Sequence, residues 1–352
     1  MISDKTKRIL SPREIIGFIL SVILSIVFLY FAFTGIDFGG LAESLKSASV
    51  FWIIIFVLLI LSGHFLRAVR WKILLDPIKK DISLNNLFAT LMIGYGFNNI
   101  IPRLGEIVRP AALGNLEGIS RTSVFGTIVI ERIIDMIFMG LAVIGSAYLV
   151  SGNIYLHLPW LKATIIIGVI LISMAVVFLI VIIKFREQFY GTIHKLLSKF
   201  SLKNAERFGS LFNKITDGFG TLTGFRNYFL VTLLSIIIIF VYAFTSYIGL
   251  FLFEIPSSTH INFYTGWVIS GISSIGIMIP TPGGIGSYHT ITKATLVSLY
   301  GFTPEIAMTY AILTHGISYV VHMLVALGYI LSLRNKISFF TNNSLETQNE
   351  KS

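Results

Sequence analysis

One interruption constrains this chain more than any other feature. Within a long apolar stretch the sequence reads Asn98-Asn99-Ile100-Ile101-Pro102-Arg103-Leu104-Gly105-Glu106-Ile107-Val108-Arg109. Pro102 lacks a backbone donor and stops a helix, and Gly105 admits backbone conformations that other residues resist. Arg103, Glu106 and Arg109 recur at three-residue spacing, which on a helix gives them roughly one face. A charged break of this kind is tolerated at membrane depth only where protein or water lines it. The same frame, I-P-x-x-G-x-I, returns in Ile279-Pro280-Thr281-Pro282-Gly283-Gly284-Ile285-Gly286. The two stretches read as paired halves of one site.

The composition around them belongs to a membrane. Of 352 residues, 55% are hydrophobic and 12% charged, with a mean hydropathy of +0.83. Soluble domains carry about 25% charge, so an all-α, polytopic membrane helix bundle is expected. The net charge of +10 fits cytoplasmic loops facing anionic lipid. No basic, aromatic-interleaved soluble segment is present to bind nucleic acid, which is excluded as a partner. The absence of cysteine excludes disulfides, thiolate catalysis and cysteine metal sites.

Taken in order, Lys5, Lys7, Arg8 and Arg13 precede a first apolar run, 15–36, that is too long for a signal-peptide core. After a loop at 37–49, a second span at 50–66 ends in Arg67, Arg70, Trp71, Lys72, Lys79 and Lys80, which sets the N-terminus and this loop in the cytoplasm. Residues 84–116 read as a re-entrant hairpin with the Pro-Arg-Leu-Gly-Glu break near its tip. Spans at 122–150 and 161–183 follow. The basic segment 184–226 has helically spaced apolar residues. It either lies on the inner leaflet or packs on the bundle as a cytosolic hairpin. A span at 228–253, a second hairpin at 263–300 and a last span at 305–333 complete the membrane part.

The expected architecture is therefore about six full spans and two re-entrant helical hairpins, or eight spans if the second hairpin crosses fully. The hairpins should enter from opposite sides, as an inverted-topology repeat requires. The domain limits are a cytoplasmic N-terminus at 1–14, a transmembrane domain at 15–334 and a disordered cytoplasmic tail at 335–352.

Several groups could carry chemistry. An arginine at the bilayer centre costs about 2.5–3.5 kcal/mol on insertion scales, so Arg103 and Arg109 must be paired, hydrated or shallow. Their planar donors suit a phosphate. They either bind an anionic lipid headgroup or form ion pairs with Glu106, Glu131 or Asp135. Glu131 and Asp135 stand at i and i+4 beside Arg132, and either hold a cation, relay protons or neutralise arginine. Arg67 and Arg70 flank Trp71, an arrangement typical of an interfacial anchor, with lipid phosphate as the second possibility. Pro280, Pro282, Gly283, Gly284 and Gly286 either present amides to a ligand or make a sharp turn. His289, His315 and His322 either move protons or join helices by hydrogen bonds. No H-E-x-x-H or G-x-S-x-G occurs, so neither an enzyme nor a cofactor or metal is expected.

Four ordered motifs carry a family resemblance: Arg67-x-x-Arg70-Trp71 with Leu74-Leu75; Asn99-x-x-Pro102-Arg103-x-Gly105-Glu106-x-x-Arg109; Glu131-Arg132-x-x-Asp135; and Pro280-x-Pro282-Gly283-Gly284-Ile285-Gly286. On these the chain resembles the flippase-like family built on the transmembrane region of lysylphosphatidylglycerol synthase. The resemblance implies a bacterial inner-membrane protein that moves an anionic or headgroup-modified lipid between leaflets. Two alternatives stand beside it: a membrane subunit that presents lipid to a partner lipid-modifying transferase, and an ion-coupled small-solute transporter. Many members carry a glutamate shortly after the Gly-Gly motif, where this chain has Ser287-Tyr288-His289. No aminoacyl-transfer segment accompanies the motifs, so lipid lysylation by this chain alone is not expected.

Overall fold

The computed structural model describes residues 12–150, 154–184, 224–255 and 261–334, with positions 188, 191, 195 and 336 besides. The residues before Pro12, most of the basic segment 184–226 and nearly all of the tail from 335 lie outside the described residues. Among the described residues every element is helical, apart from turns, and the molecule is an all-α membrane bundle. The first half contains α1 (Pro12–Phe33), α2 (Phe38–Lys46), α3 (Val50–Leu75), α4 (Leu84–Ile100), α5 (Gly105–Glu117) and α6 (Arg121–Leu149). The second contains α7 (Ile154–His157), α8 (Pro159–Lys184), α9 (Phe225–Gly249), α10 (Phe263–Met278), α11 (Ser287–Tyr300) and α12 (Pro304–Leu333).

The long helices α1, α3, α6, α8, α9 and α12 correspond to the expected spans. Among the described residues, α1, α3, α9 and α12 are long and apolar enough to cross a membrane. At 29 residues α6 would reach about 43 Å, yet it carries Glu131, Arg132 and Asp135. Two local expectations are corrected. The stretch 37–49 is not a plain loop: Asp37 caps α2 by accepting from Gly39 and Gly40 N–H, and Leu41 packs with Ala32 and Met308. The second span does not stop at residue 66 but continues as one helix to Leu75, carrying Arg67 and Arg70 within it.

Both breaks close helical hairpins. The first turn joins α4 to α5 and the second joins α10 to α11. After each hairpin the chain uses the same punctuation. Gly118 (φ 65) ends α5 and Gly301 (φ 66) ends α11, both left-handed. Two residues later Ser120 caps α6 through Ser123 N–H, and Thr303 caps α12 through Ile306 N–H.

The packing repeats with a two-fold pattern. Helices α3 and α9 run antiparallel side by side: Ser49 N–H donates to Leu252 O at 2.7 Å, Gly63 faces Tyr242, and Arg70 reaches Ser235. Around them α4 packs on α12 as α10 packs on α6. Small residues make both crossings close, as between helices in a bilayer. A Cβ on Gly96 would stand 2.5 Å from Ala326 Cβ, and one on Gly271 would stand 2.5 Å from Ser146 Oγ. Exchanging α3–α6 with α9–α12 preserves these neighbours while reversing helix direction. That is the inverted repeat.

The hairpin tips meet in the interior. Gly283 of the second turn lies against Asn99, whose Nδ2 donates to Tyr319 O at 3.3 Å. Outside the repeat, α1 braces the second hairpin. Ser25 Oγ donates to Ile285 O at 2.8 Å and Thr290 Oγ1 to Phe28 O at 2.7 Å. Lys293 Nζ closes the top of α1 through Ala32 O and Thr34 O.

Candidate functional site

Helical spacing puts a polar stripe on the inward face of α3. Gly63, His64, Arg67, Arg70, Trp71 and Leu74 are all buried, one turn after another. A facing stripe on α6 presents Thr127, Glu131 and Asp135 at four-residue steps. The two stripes meet, and α5 adds Arg109 from the first hairpin.

Arg67 is the hub. Its Nη2 donates to Glu131 Oε1 and Asp135 Oδ2, each at 2.6 Å, and its Nη1 donates to the Tyr95 hydroxyl on α4. Arg70 pairs with Asp135 Oδ1 and donates from Nη1 to Ser235 Oγ on α9 at 2.9 Å. Arg109 Nη2 reaches Glu131 Oε2 at 2.9 Å. The flat face of Arg109 covers the indole of Trp71, its central carbon 4.1 Å from the ring centroid. Trp71 Nε1 donates to Thr127 Oγ1 at 3.0 Å. At the margin Arg132 lies 3.5 Å from Glu106 and 3.9 Å from Asp135.

Charge balance decides what this arrangement can do. Glu131 is fully buried, Arg70 and Arg109 nearly so, and burying such ions is offset only by close pairing. Four arginines meet three carboxylates, so the cluster retains one positive charge. Its donors are not exhausted either. The Nε atoms of Arg67, Arg70 and Arg109 are buried and make no hydrogen bond. A buried donor left unpaired costs about 1–3 kcal/mol. One surplus charge with spare guanidinium donors suits a singly charged oxyanion such as a phosphodiester.

The expected site residues divide accordingly. Arg67, Arg70, Arg109, Glu131 and Asp135 come together, with Arg132 and Glu106 at the edge. The interfacial-anchor reading of Arg67, Arg70 and Trp71 is corrected: all three are buried inside the bundle, because α3 continues past them. Arg103 does not join. It sits at the exposed apex of the turn with φ 65, outside the helix that begins at Gly105. Arg103, Glu106 and Arg109 therefore do not share one helical face, and Glu106 pairs with Arg132. Asn99 lies at the tip junction rather than in the cluster.

The second break is a turn rather than a phosphate cradle. The N–H groups of Thr281, Gly284 and Ile285 donate to Ile279 O, Thr281 O and Pro282 O, and Gly286 N–H donates to His289 Nδ1 at 3.4 Å. Those amides are committed within the turn. Pro280 is exposed and Pro282 half-buried, while Gly283, Gly284 and Gly286 take positive φ. His289 stacks edge-on with His315, centroids 4.9 Å apart. Among the described residues no group of three or more His, Cys, Asp and Glu side chains is placed to hold a metal.

Sequence reasoning missed Tyr95, Ser235, Thr127 and His64. The spacing of His64, Arg67, Arg70 and Trp71 was the available signal for one of them, since it defines a single face of α3. The others are ordinary residues of apolar helices until the tertiary structure gives them a neighbour.

Residues 18–326 match the family described as the lysylphosphatidylglycerol synthase TM region. A UPF0104 membrane protein of Methanocaldococcus jannaschii is 26% identical over 334 residues, covering 89% of this chain and 94% of the relative. A UPF0104 membrane protein of Methanothermobacter thermautotrophicus is 29% identical over 177 residues, covering 48% of this chain and 52% of the relative.

Proposed function

The chain belongs to the family of the lysylphosphatidylglycerol synthase transmembrane region, and from that membership we propose that it is a lipid flippase of the plasma membrane. The cluster of Arg67, Arg70, Arg109 and Arg132 receives the anionic headgroup, and the acyl or isoprenyl chain stays in lipid. Glu106, Glu131 and Asp135 hold the guanidinium groups in place and limit the surplus to one charge. The observation that carries this reading is that surplus, paired with unsatisfied Nε donors, inside a bundle built as an inverted repeat.

Positive loop charge sets the N- and C-termini in the cytoplasm. Arg67 follows the start of α3 by 17 residues, about 26 Å along the helix, which supports a place for the cluster on the cytoplasmic side. The opposing hairpin tips at Asn99 and Gly283 separate it from the other side. Rocking one repeat against the other exchanges the accessible leaflet. The chain itself performs no covalent chemistry.

The test is translocation in reconstituted liposomes. Labelled phosphatidylglycerol, its aminoacylated form and a polyisoprenyl phosphate are compared in wild type and Arg109→Ala. Movement of one lipid class that is lost in the variant is the expected result. Movement unchanged in Arg109→Ala overturns the arginine site. The family description, which names a region of a synthase, favours a second reading: a subunit that presents lipid to a partner transferase. Lipid binding without movement of any of the three lipids decides for it.

A further inference from the structure

Beside the arginine cluster runs a series of imidazole and phenol rings that the ion pairs leave unused. His64 lies on α3 one turn before Arg67, and its Nε2 stands 2.7 Å from His322 Nε2 on α12. Tyr95 of α4 packs on both rings, with centroids 4.4 Å from His64 and 4.9 Å from His322. The Tyr95 hydroxyl is the group that accepts from Arg67. Two turns earlier on the same face of α12, His315 lies 4.9 Å from His289 and 5.2 Å from Tyr288, centroid to centroid. The rings thus reach from the arginine cluster to the break of the second hairpin.

The contact between His64 and His322 constrains its own protonation. Two neutral imidazoles meeting Nε2 to Nε2 share one proton, because one ring must donate and the other accept. A second proton turns the pair into an imidazolium hydrogen-bonded to a neutral ring, which is the stronger, charge-assisted form. His64 Nδ1 is buried and makes no hydrogen bond, so a place for that proton exists. The groups facing the pair are Arg67 from α3, Tyr95 from α4 and His315 on α12; Tyr242 of α9 lies beside Arg67 and Tyr319 beside His315. Glu131 and Asp135 lie beyond Arg67 and are already committed to it. The nearest fixed charge is therefore positive, and the cluster behind it carries a surplus of one. An added proton is repelled there unless an anion occupies the cluster.

Resting on the anion site of the proposed function, we infer that the His64–His322 pair takes up one proton with each anionic headgroup bound at the arginine cluster. Headgroup and proton then cross as an electrically neutral load. The coupling is reciprocal: the anion favours the proton by the same factor as the proton favours the anion. The empty and loaded states of the bundle carry equal charge.

The experiment is calorimetric titration of the full-length chain in nanodiscs of neutral lipid with dioctanoyl phosphatidylglycerol. It is run at one pH in two buffers of different ionisation enthalpy, which counts protons taken up per lipid bound. Between the pH at which the empty pair titrates and the higher pH at which the loaded pair does, wild type should take up about one proton per lipid, with affinity falling about tenfold per pH unit. His64→Gln and His322→Gln should bind lipid with uptake near zero. Binding without uptake in wild type overturns the inference and leaves the anion site standing. Uptake unchanged in both glutamine variants overturns it as well. If neither variant folds, the wild-type proton count decides alone. A folded wild type that binds no lipid overturns the inference together with the reading beneath it. Glycerophosphoglycerol, the same singly charged diester without acyl chains, is the control arm. Binding as tight as the lipid, with the same uptake, keeps the proton linkage and overturns the lipid as its source.

Discussion

Arg109 is held between a carboxylate and an indole: its Nη2 meets Glu131 Oε2 at 2.9 Å, while its guanidinium carbon lies 4.1 Å from the centroid of Trp71. The indole shields one face of the cation, and its own N–H is tied to Thr127. Cation–π contacts are worth about 2 kcal/mol when desolvated. Trp71→Leu should therefore weaken anionic-lipid binding by roughly tenfold to thirtyfold, beyond any loss of stability. Trp71→Phe, which keeps a π face, should recover most of it. Equal losses in both variants, measured by lipid titration, would show that packing alone matters.

Glu131 is fully buried and meets both Arg67 and Arg109. Removing one partner of a buried pair leaves uncompensated charge and costs about 3–5 kcal/mol. Glu131→Gln should lower the thermal midpoint sharply in detergent. Glu106→Gln should cost under about 1 kcal/mol, since its pair with Arg132 is half-exposed and 3.5 Å long. Comparable shifts in the two variants would refute the assignment of Glu131 as the structural anion of the cluster.

The first hairpin closes on a glycine contact. A Cβ on Gly105 would stand 2.0 Å from Gly94 O, a distance no packing tolerates, so Gly105→Ala must spread α4 from α5. It should yield little monodisperse protein on size exclusion. Gly316→Ala is the control. Nothing lies within 4 Å of its added Cβ, and alanine in a helix is worth about 0.5–1 kcal/mol over glycine. A normal Gly105→Ala profile would contradict this closure.

Glu117 ties the base of that hairpin to the loop after α3. Its burial raises the carboxyl pKa, but hydrogen bonds from Lys79, Asn86 and Ser83 N–H, with the charge of Lys79, outweigh burial and hold it below the usual value. The distances are 2.7 Å from Lys79 Nζ and 2.8 Å from Asn86 Nδ2. A depressed carboxyl stabilises the fold above its unfolded pKa, and that contribution fades as pH falls through the folded one. Stability should thus drop on acidification below about pH 4.5, and Glu117→Gln should flatten that part of the profile. A thermal midpoint profile unchanged by the substitution would argue against the tie.

The sequence by itself determined the elements. Apolar run length set the long helices, and Pro102, Gly105, Pro280 and Gly283 set the two hairpin turns, because helix length and helix breaking are local properties. The shared I-P-x-x-G-x-I frame also announced the repeat. Gly118-Ile119-Ser120 and Gly301-Phe302-Thr303 also repeat the cap that follows each hairpin.

Only the tertiary structure decided the partners. Arg67 and Arg70 are read as interfacial from their place at the end of an apolar run. Their carboxylates lie 64 to 68 residues away on α6, and such pairing depends on which helix faces meet, not on spacing along one helix. Arg103 shows the converse. Its three-residue spacing to Glu106 assumed a helix, but the turn sets it at a left-handed apex and leaves it outside. His64 and His322, 258 positions apart, become one site only because α3, α4 and α12 cross at that depth.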